Sequence, residues 1–245
     1  FPNPDEREPN EVIQARWGDM AKIDRDPEVQ ARYGNSRFHS IIAKDKDERP
    51  IAYSQFSIMP LESRKATLMF LQYTGIVDSK FMKARYGVDS DYRGDGTYYA
   101  IDAIRRLIAS EDARKMGFEN GNMGGIFESE MLGQGETEDD IRFTKTRLAI
   151  HNRMGAKAIM LEMPDGSLVS PHIQPRLSED SDPIQLLILY RPAQYKKEDV
   201  AKVEEMDKSL AQDFMGTFLD NFIREDFAEE DVNDARRITA EKFVK

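Results

Sequence analysis

The stretch Asp91–Gly96 reads DYRGDG and runs straight into TYYAIDAIRRLIASEDARKMG, a helix-like segment. Two glycines and an arginine just before a helix could do one kind of chemistry. The first N–H groups of a helix have no internal partner, and the helix dipole favours negative charge there. Glycines let the backbone approach a ligand closely. Such a turn can therefore cradle an anion such as a phosphate. Arg93 could add charge-assisted hydrogen bonds to it. The same glycines could equally do no more than turn the chain. The spacing is neither the G-x-x-x-x-G-K-[ST] of a P-loop nor the G-x-G-x-x-G of a dinucleotide fold.

The rest of the chain limits what else is available. It has 245 residues and no cysteine, which excludes disulfides, thiolate zinc sites and a cysteine nucleophile. His39, His151 and His172 lie far apart in sequence and show no metal-ligand spacing, so no metal is expected. The net charge is −10, from 35 basic and 45 acidic residues. That acidity argues against nucleic acid or an anionic membrane as the main partner, since both need a basic face. The acidic surface suits a cationic amine as it suits many unrelated ligands. Apolar runs such as LLIL at Leu186–Leu189 are too short to span a bilayer. FPNPDEREPN at the N-terminus has no signal-peptide pattern, and a cytoplasmic location is expected.

Elements must position the loop. Phe1–Asn10 reads as an extended arm and Asn10–Asp24 as a helix, followed by a turn-rich patch at Asp26–Ser36. FHSIIA, KDKDERP and IAYSQFSIMP read as an antiparallel hairpin. ATLMFLQYTGIVDS reads as one or two strands, which KARYGVDS extends into the glycine loop. In the helix after the loop, Ile101, Ile104, Leu107 and Ile108 form a stripe expected to face a core. NMGGIFESEM is a strand centred on Ile126–Phe127. GETEDDIRFTKTRLAIHNRMGA is a second helix, opened by a capping box of Thr137 with Asp140 and stopped by Gly155. Strands follow in AKAIMLEM, LVSPHIQPRL and PIQLLILYRP. Lys196–Phe227 reads as a long aromatic-studded helix, and Glu229–Lys245 as a charged tail with room for a short helix. This order predicts a mixed α/β fold. Residues 1–35 would be an N-terminal arm and helix, 36–195 the main domain, and 196–245 a C-terminal helical extension.

In this context the loop resembles that of the GNAT superfamily of N-acetyltransferases, in its bacterial form. The family pattern is [RQ]-x-x-G-x-[GA], whose backbone amides bind the pyrophosphate of acetyl-CoA. Arg93 and Gly96 match its first and fourth positions, and Gly94 matches the common form RGxG. Tyr98 departs from it at the sixth. The resemblance implies a mostly antiparallel sheet flanked by helices, and acetyl-CoA bound by Arg93, Gly94, Asp95, Gly96, Thr97 and Tyr98. Val88 would match the apolar residue ending the preceding strand, and the nearby backbone N–H would polarise the thioester carbonyl. HNRMGA resembles the family's Y-x-x-x-G-[FA], with His151 in place of the tyrosine that protonates the departing thiolate. His151 would then be a general acid, or else pack the last helical turn, and Asn152 is a second polar candidate beside it, to hold the cofactor. Gln174, Pro175 and Leu177 match a Q-P-x-L stretch of a bacterial subgroup. The resemblance spans roughly Ser36 to Pro192.

The implied reaction is acetyl transfer from acetyl-CoA to a primary amine by direct attack. Glu128 and Glu130 are the candidate bases. They alternate with Phe127 and Ser129, which would turn both to one face of a strand. Otherwise they are surface partners for Arg or Lys. The alternative is a non-catalytic CoA-binding or protein-interaction module on the same fold. A third reading is an α/β protein whose RGDG is only a turn. The aromatic helix at Lys196–Phe227 leaves a homodimer open.

Overall fold

The computed structural model describes residues 10–23, 25–134, 137–175, 183–194, 205–224 and 227–244. The expected N-terminal arm and the first part of the predicted 196–227 helix lie outside these residues. The element order is α1 (Asn10–Met20), α2 (Pro27–Tyr33), β1 (Arg37–Lys44), β2 (Pro50–Leu61), β3 (Ala66–Ile76), α3 (Ser79–Tyr86), α4 (Thr97–Lys115), β4 (Asn122–Ser129) and α5 (Glu138–Arg153). Short strands follow: β5 (Lys157–Ala158), β6 (Leu161–Glu162), β7 (Leu168–Val169), β8 (Ile173–Gln174) and β9 (Ile184–Gln185). The chain then forms β10 (Leu187–Pro192), α6 (Lys208–Arg224) and α7 (Glu229–Val244). A six-stranded sheet has the order β1-β2-β3-β4-β10-β5. The pairs β1–β2, β4–β10 and β10–β5 are antiparallel, and β3–β4 is parallel. The expected fold class, a mostly antiparallel mixed sheet with helices, is therefore observed.

The chain divides into two compact units, each built from two segments. One comprises Phe1–Ile58 and Leu71–Gly121. Here β1 and β2 form the predicted hairpin, in register from Arg37 opposite Ile58 to Ala43 opposite Ala52, with a shift before Lys44 opposite Pro50. Asp45 fixes its turn by accepting from the amides of Asp47 and Arg49 at 2.9 and 3.0 Å. Two parts of this unit differ from the sequence reading. The patch at 26–36 contains α2, capped by Asp26, whose side chain accepts from Glu28 N–H. KARYGVDS is not a strand: α3 takes in its first half, with Asp78 as N-cap and left-handed Gly87 as C-cap. Local capping overrides the aromatic strand signal there.

The α4 stripe also differs. Ile101 is buried, but Ile104 and Leu107 are 44% and 71% exposed. The buried face is Ile101, Asp102, Arg105, Ala109, Asp112 and Ala113. Fully buried Arg105 donates to Asp102 (3.1 Å), Ser54 (3.0 Å) and Thr74 (2.8 Å), while its Nε has no partner among the described residues. Burial of charge is tolerated when it is paired and hydrogen-bonded, so this network replaces an apolar stripe.

The other unit comprises Met59–Phe70 and Asn122–Lys245. Its part of β3 runs parallel to β4, from Thr67 opposite Asn122 to Phe70 opposite Ile126. β10 pairs with β4 from Leu187–Ser129 to Pro192–Gly124. Ile126, Phe70 and Ile188 pack with Phe214, Phe218 and Phe222 of α6 in one core cluster. Phe218 meets Phe70 edge-on, with ring centroids 4.7 Å apart. The predicted aromatic helix thus buries its face in this core. The charged tail is a full sixteen-residue helix, α7, which adds Val232, Ala235 and Phe243 to the cluster. The capping box of α5 forms as expected, with Thr137 Oγ1 accepting from Asp140 N–H and Asp140 accepting from Thr137 N–H.

Candidate functional site

The glycine loop lies wholly in the first unit. Gly94 and Gly96 have φ of 92° and 97°, the left-handed region that only glycine enters cheaply. Gly96 is the N-cap residue of the nineteen-residue α4 and offers no side-chain cap. A Cβ at either glycine would meet nothing within 4 Å. These glycines are therefore required by backbone conformation and by the openness of the loop, not by crowding inside the protein. Among the described residues, no main-chain hydrogen bond uses the N–H groups of Gly94, Asp95 or Gly96.

The loop's own acids occupy two other amides. Asp91 accepts from Arg93 N–H at 2.8 Å, and Asp95 accepts from Thr97 N–H at 2.9 Å. Hydrogen bonds from the Thr97 hydroxyl and amide hold the Asp95 carboxyl below the usual carboxylate range. Arg93 is 63% exposed in its side chain, with NH1 3.3 Å from Asp78. Its Nε donates to Ile76 O at 3.2 Å. Tyr98, the residue that departs from the family pattern, turns its ring onto the buried guanidinium of Arg105, 5.4 Å from its carbon. It packs into the protein and needs no room over the loop.

Val88 is a correction. It does not end a strand, because it follows α3, and its N–H points to Met82 O at 3.4 Å as part of that helix's C-terminal wrap. It is not a free carbonyl-polarising donor.

Glu128, Glu130, His151 and Asn152 lie in the second unit. Glu128 sits on β4 opposite Ile188. His172 Nε2 lies 2.5 Å from its Oε1. Glu130 falls just beyond the end of β4, where strand alternation no longer aligns it with Glu128. It forms an ion pair with Arg147 of α5 instead. His151 occupies the last turn of α5, with its ring tilted against Phe127 at 4.3 Å between centroids. Its carbonyl accepts from Met154 and Ala156 N–H at 3.0 Å each. Asn152 is exposed beside it, and its carbonyl accepts from Gly155 N–H at 2.9 Å. Phe127 and Glu128 are consecutive strand residues and point to opposite faces. His151, on Phe127, and Glu128 are thus not brought together.

Two functional candidates escape the sequence. His172 is fully buried, 44 residues from its Glu128 partner, and meets Phe218 edge-on at 5.2 Å. In the first unit, His39 of β1 contacts Asp112 of α4 at 2.5 Å and stacks on Phe56. Neither pair has any local spacing signal, because long-range packing makes both. Among the described residues, no cluster of three or more His, Asp or Glu could hold a metal, and no helix is long and apolar enough to cross a membrane.

No family model and no curated protein matches the chain. Solved structures similar to it include a protein from Bacteroides thetaiotaomicron assigned as a GNAT-family acetyltransferase. That one is 14% identical with a TM-score of 0.36, covering 79% of this chain and 89% of the other. A GNAT-family acetyltransferase from Staphylococcus aureus Mu50 is 10% identical with a TM-score of 0.30, covering 76% and 96%. A protein assigned as a phosphinothricin N-acetyltransferase is 15% identical with a TM-score of 0.31, covering 77% and 96%.

Proposed function

We propose that the chain is an acyl-CoA-dependent N-acyltransferase that moves an acetyl group from acetyl-CoA to a primary amine. The observation carrying this reading is the loop: two left-handed glycines lead into the N-terminus of a long helix whose N-cap residue, Gly96, has no side chain, beside Arg93. Helix N–H groups and the dipole favour a pyrophosphate there. Gly94, Gly96 and Arg93 would hold it, and Tyr98, turned inward, would leave it room.

The neutral amine nitrogen forms a bond to the acyl carbon, and the carbon–sulfur bond breaks. Sulfur leaves with the bonding pair as CoA thiolate. The amine proton passes to Glu128, directly or through water, and then to thiolate or solvent. Glu128 is preferred to Glu130 because Glu130 is already engaged in an ion pair with Arg147.

A second reading has its own support. Asp95 occupies the Thr97 amide, and Arg93 reaches toward Asp78. A loop so engaged suits a module that holds CoA weakly and does no chemistry. Amine-dependent release of free CoA from acetyl-CoA separates the two. The enzyme releases thiol only when an amine is present; the module binds CoA and releases none.

A further inference from the structure

We infer that His172 is the positioning residue for Glu128, holding that carboxylate fixed as the base of the transfer. This rests on the acyltransferase reading above. The His172 side chain is 0% exposed, and its Nε2 lies 2.5 Å from Glu128 Oε1. Nδ1 is buried with no hydrogen-bond partner among the described residues. The hydrogen-bond pattern assigns the tautomer. A proton on Nε2 donates to the carboxylate and leaves only a lone pair at Nδ1. The other tautomer sets a lone pair against the carboxylate.

The ring cannot turn away. Phe218 closes one side edge-on, and His172 N–H is tied to Ser170 Oγ at 3.3 Å. Ser170 is itself fixed by donating to Leu186 O at 2.6 Å, while Lys242 of α7 donates to Ser170 O at 3.0 Å. Glu128 is different on its second oxygen. Its side chain is 17% exposed, and among the described residues Oε1 makes its only side-chain hydrogen bond. One oxygen anchored by a buried donor and one left open is the arrangement a base needs. A purely structural carboxylate, such as Glu130 with Arg147, meets a cation instead.

The test uses the full chain with acetyl-CoA and a panel of glucosamine, spermidine and a tripeptide, following CoA release. Glu128→Gln and His172→Leu are each expected to lower kcat about 100-fold or more with KM for acetyl-CoA unchanged. His172→Gln, whose amide nitrogen can stand in for Nε2, is expected to restore most of the rate. The Glu128→Gln/His172→Leu double variant is expected to be no slower than Glu128→Gln alone. Should His172→Leu fail to fold, His172→Asn, too short to reach Oε1, carries the same expectation. A wild type that turns over while His172→Leu and His172→Asn keep full kcat overturns the inference alone. So does a double variant slowed by the product of the single effects. A wild type that binds acetyl-CoA but transfers to no amine overturns the acyltransferase reading and this inference with it.

Discussion

The guanidinium carbon of Arg105 lies 5.4 Å from the centre of the Tyr98 ring. The Arg105 side chain is 0% exposed; it pairs with Asp102 of its own helix and ties α4 to β2 and β3 through Ser54 and Thr74. Tyr98 opens α4 and Arg105 lies two turns on. The side chain of a helical residue leans toward the helix N-terminus, which lets the pair meet. The loop's one departure from the family pattern is thereby absorbed by packing inside its own unit.

Arg105→Met is expected to destabilise the protein by about 2–3 kcal/mol in urea unfolding, because it removes the buried donors to Ser54 and Thr74 and leaves Asp102 with Arg106 as its cation. Arg105→Lys is expected to fall between, since an ammonium cannot reproduce the planar fork. Equal stability of the Arg105→Met variant and the wild type would show that the network contributes nothing net.

The glycines separate two causes of intolerance. Gly96→Ala pays only for a left-handed backbone, about 1–2 kcal/mol, since its Cβ meets nothing. Gly124→Ala on β4 drives a Cβ into the main-chain oxygen of Arg191 on the neighbouring strand. Backbone cannot yield as a side chain can, and a loss of about 3 kcal/mol is expected. Denaturation of the two variants side by side checks the order.

Tyr33 gives a pH prediction. Burial first, and then the negative charge and hydrogen bond of Asp19, push its phenol from 10.0 up to about 12. Folding therefore favours the protonated phenol. Its contribution is fully present below pH 10 and is lost as the pH rises through about 12. Tyr33→Phe should remove this alkaline loss, read as the difference between wild-type and variant stability across that window. A Tyr33 that ionises at its ordinary pH, followed by ultraviolet difference absorbance of the phenolate, contradicts it.

Phe218 touches Phe70, Phe222 and His172 while fully buried. Phe218→Ala is expected to cost about 3–5 kcal/mol. A cost below about 1 kcal/mol would mean that the aromatic cluster collapses around the gap.

What is legible in the sequence follows from the range of the interactions. The hairpin, the strand at Ile126–Phe127, the α5 capping box and the aromatic face of α6 rest on local pattern, and all are present. The glycine loop is legible because left-handed backbone selects glycine at Gly94 and Gly96. The α4 face is not, because periodicity weighs Ile104 and Leu107 as apolar and cannot know that Arg105 finds Ser54 and Thr74. The strand expected at KARYGVDS gives way to α3, whose Asp78 and Gly87 caps are visible in the sequence but outweighed there by aromatic content. His172 with Glu128, and His39 with Asp112, join positions 44 and 73 residues apart, and no spacing rule reaches that far.

The central claim is that DYRGDG holds a pyrophosphate. Calorimetric titration of the full chain with acetyl-CoA, beside an Arg93→Ala/Gly96→Glu variant of matched circular dichroism, tests it most directly. The account predicts micromolar binding by the wild type and none by the variant. No heat from the wild type, or equal binding by both proteins, would contradict it and leave the glycines with no role beyond turning the chain.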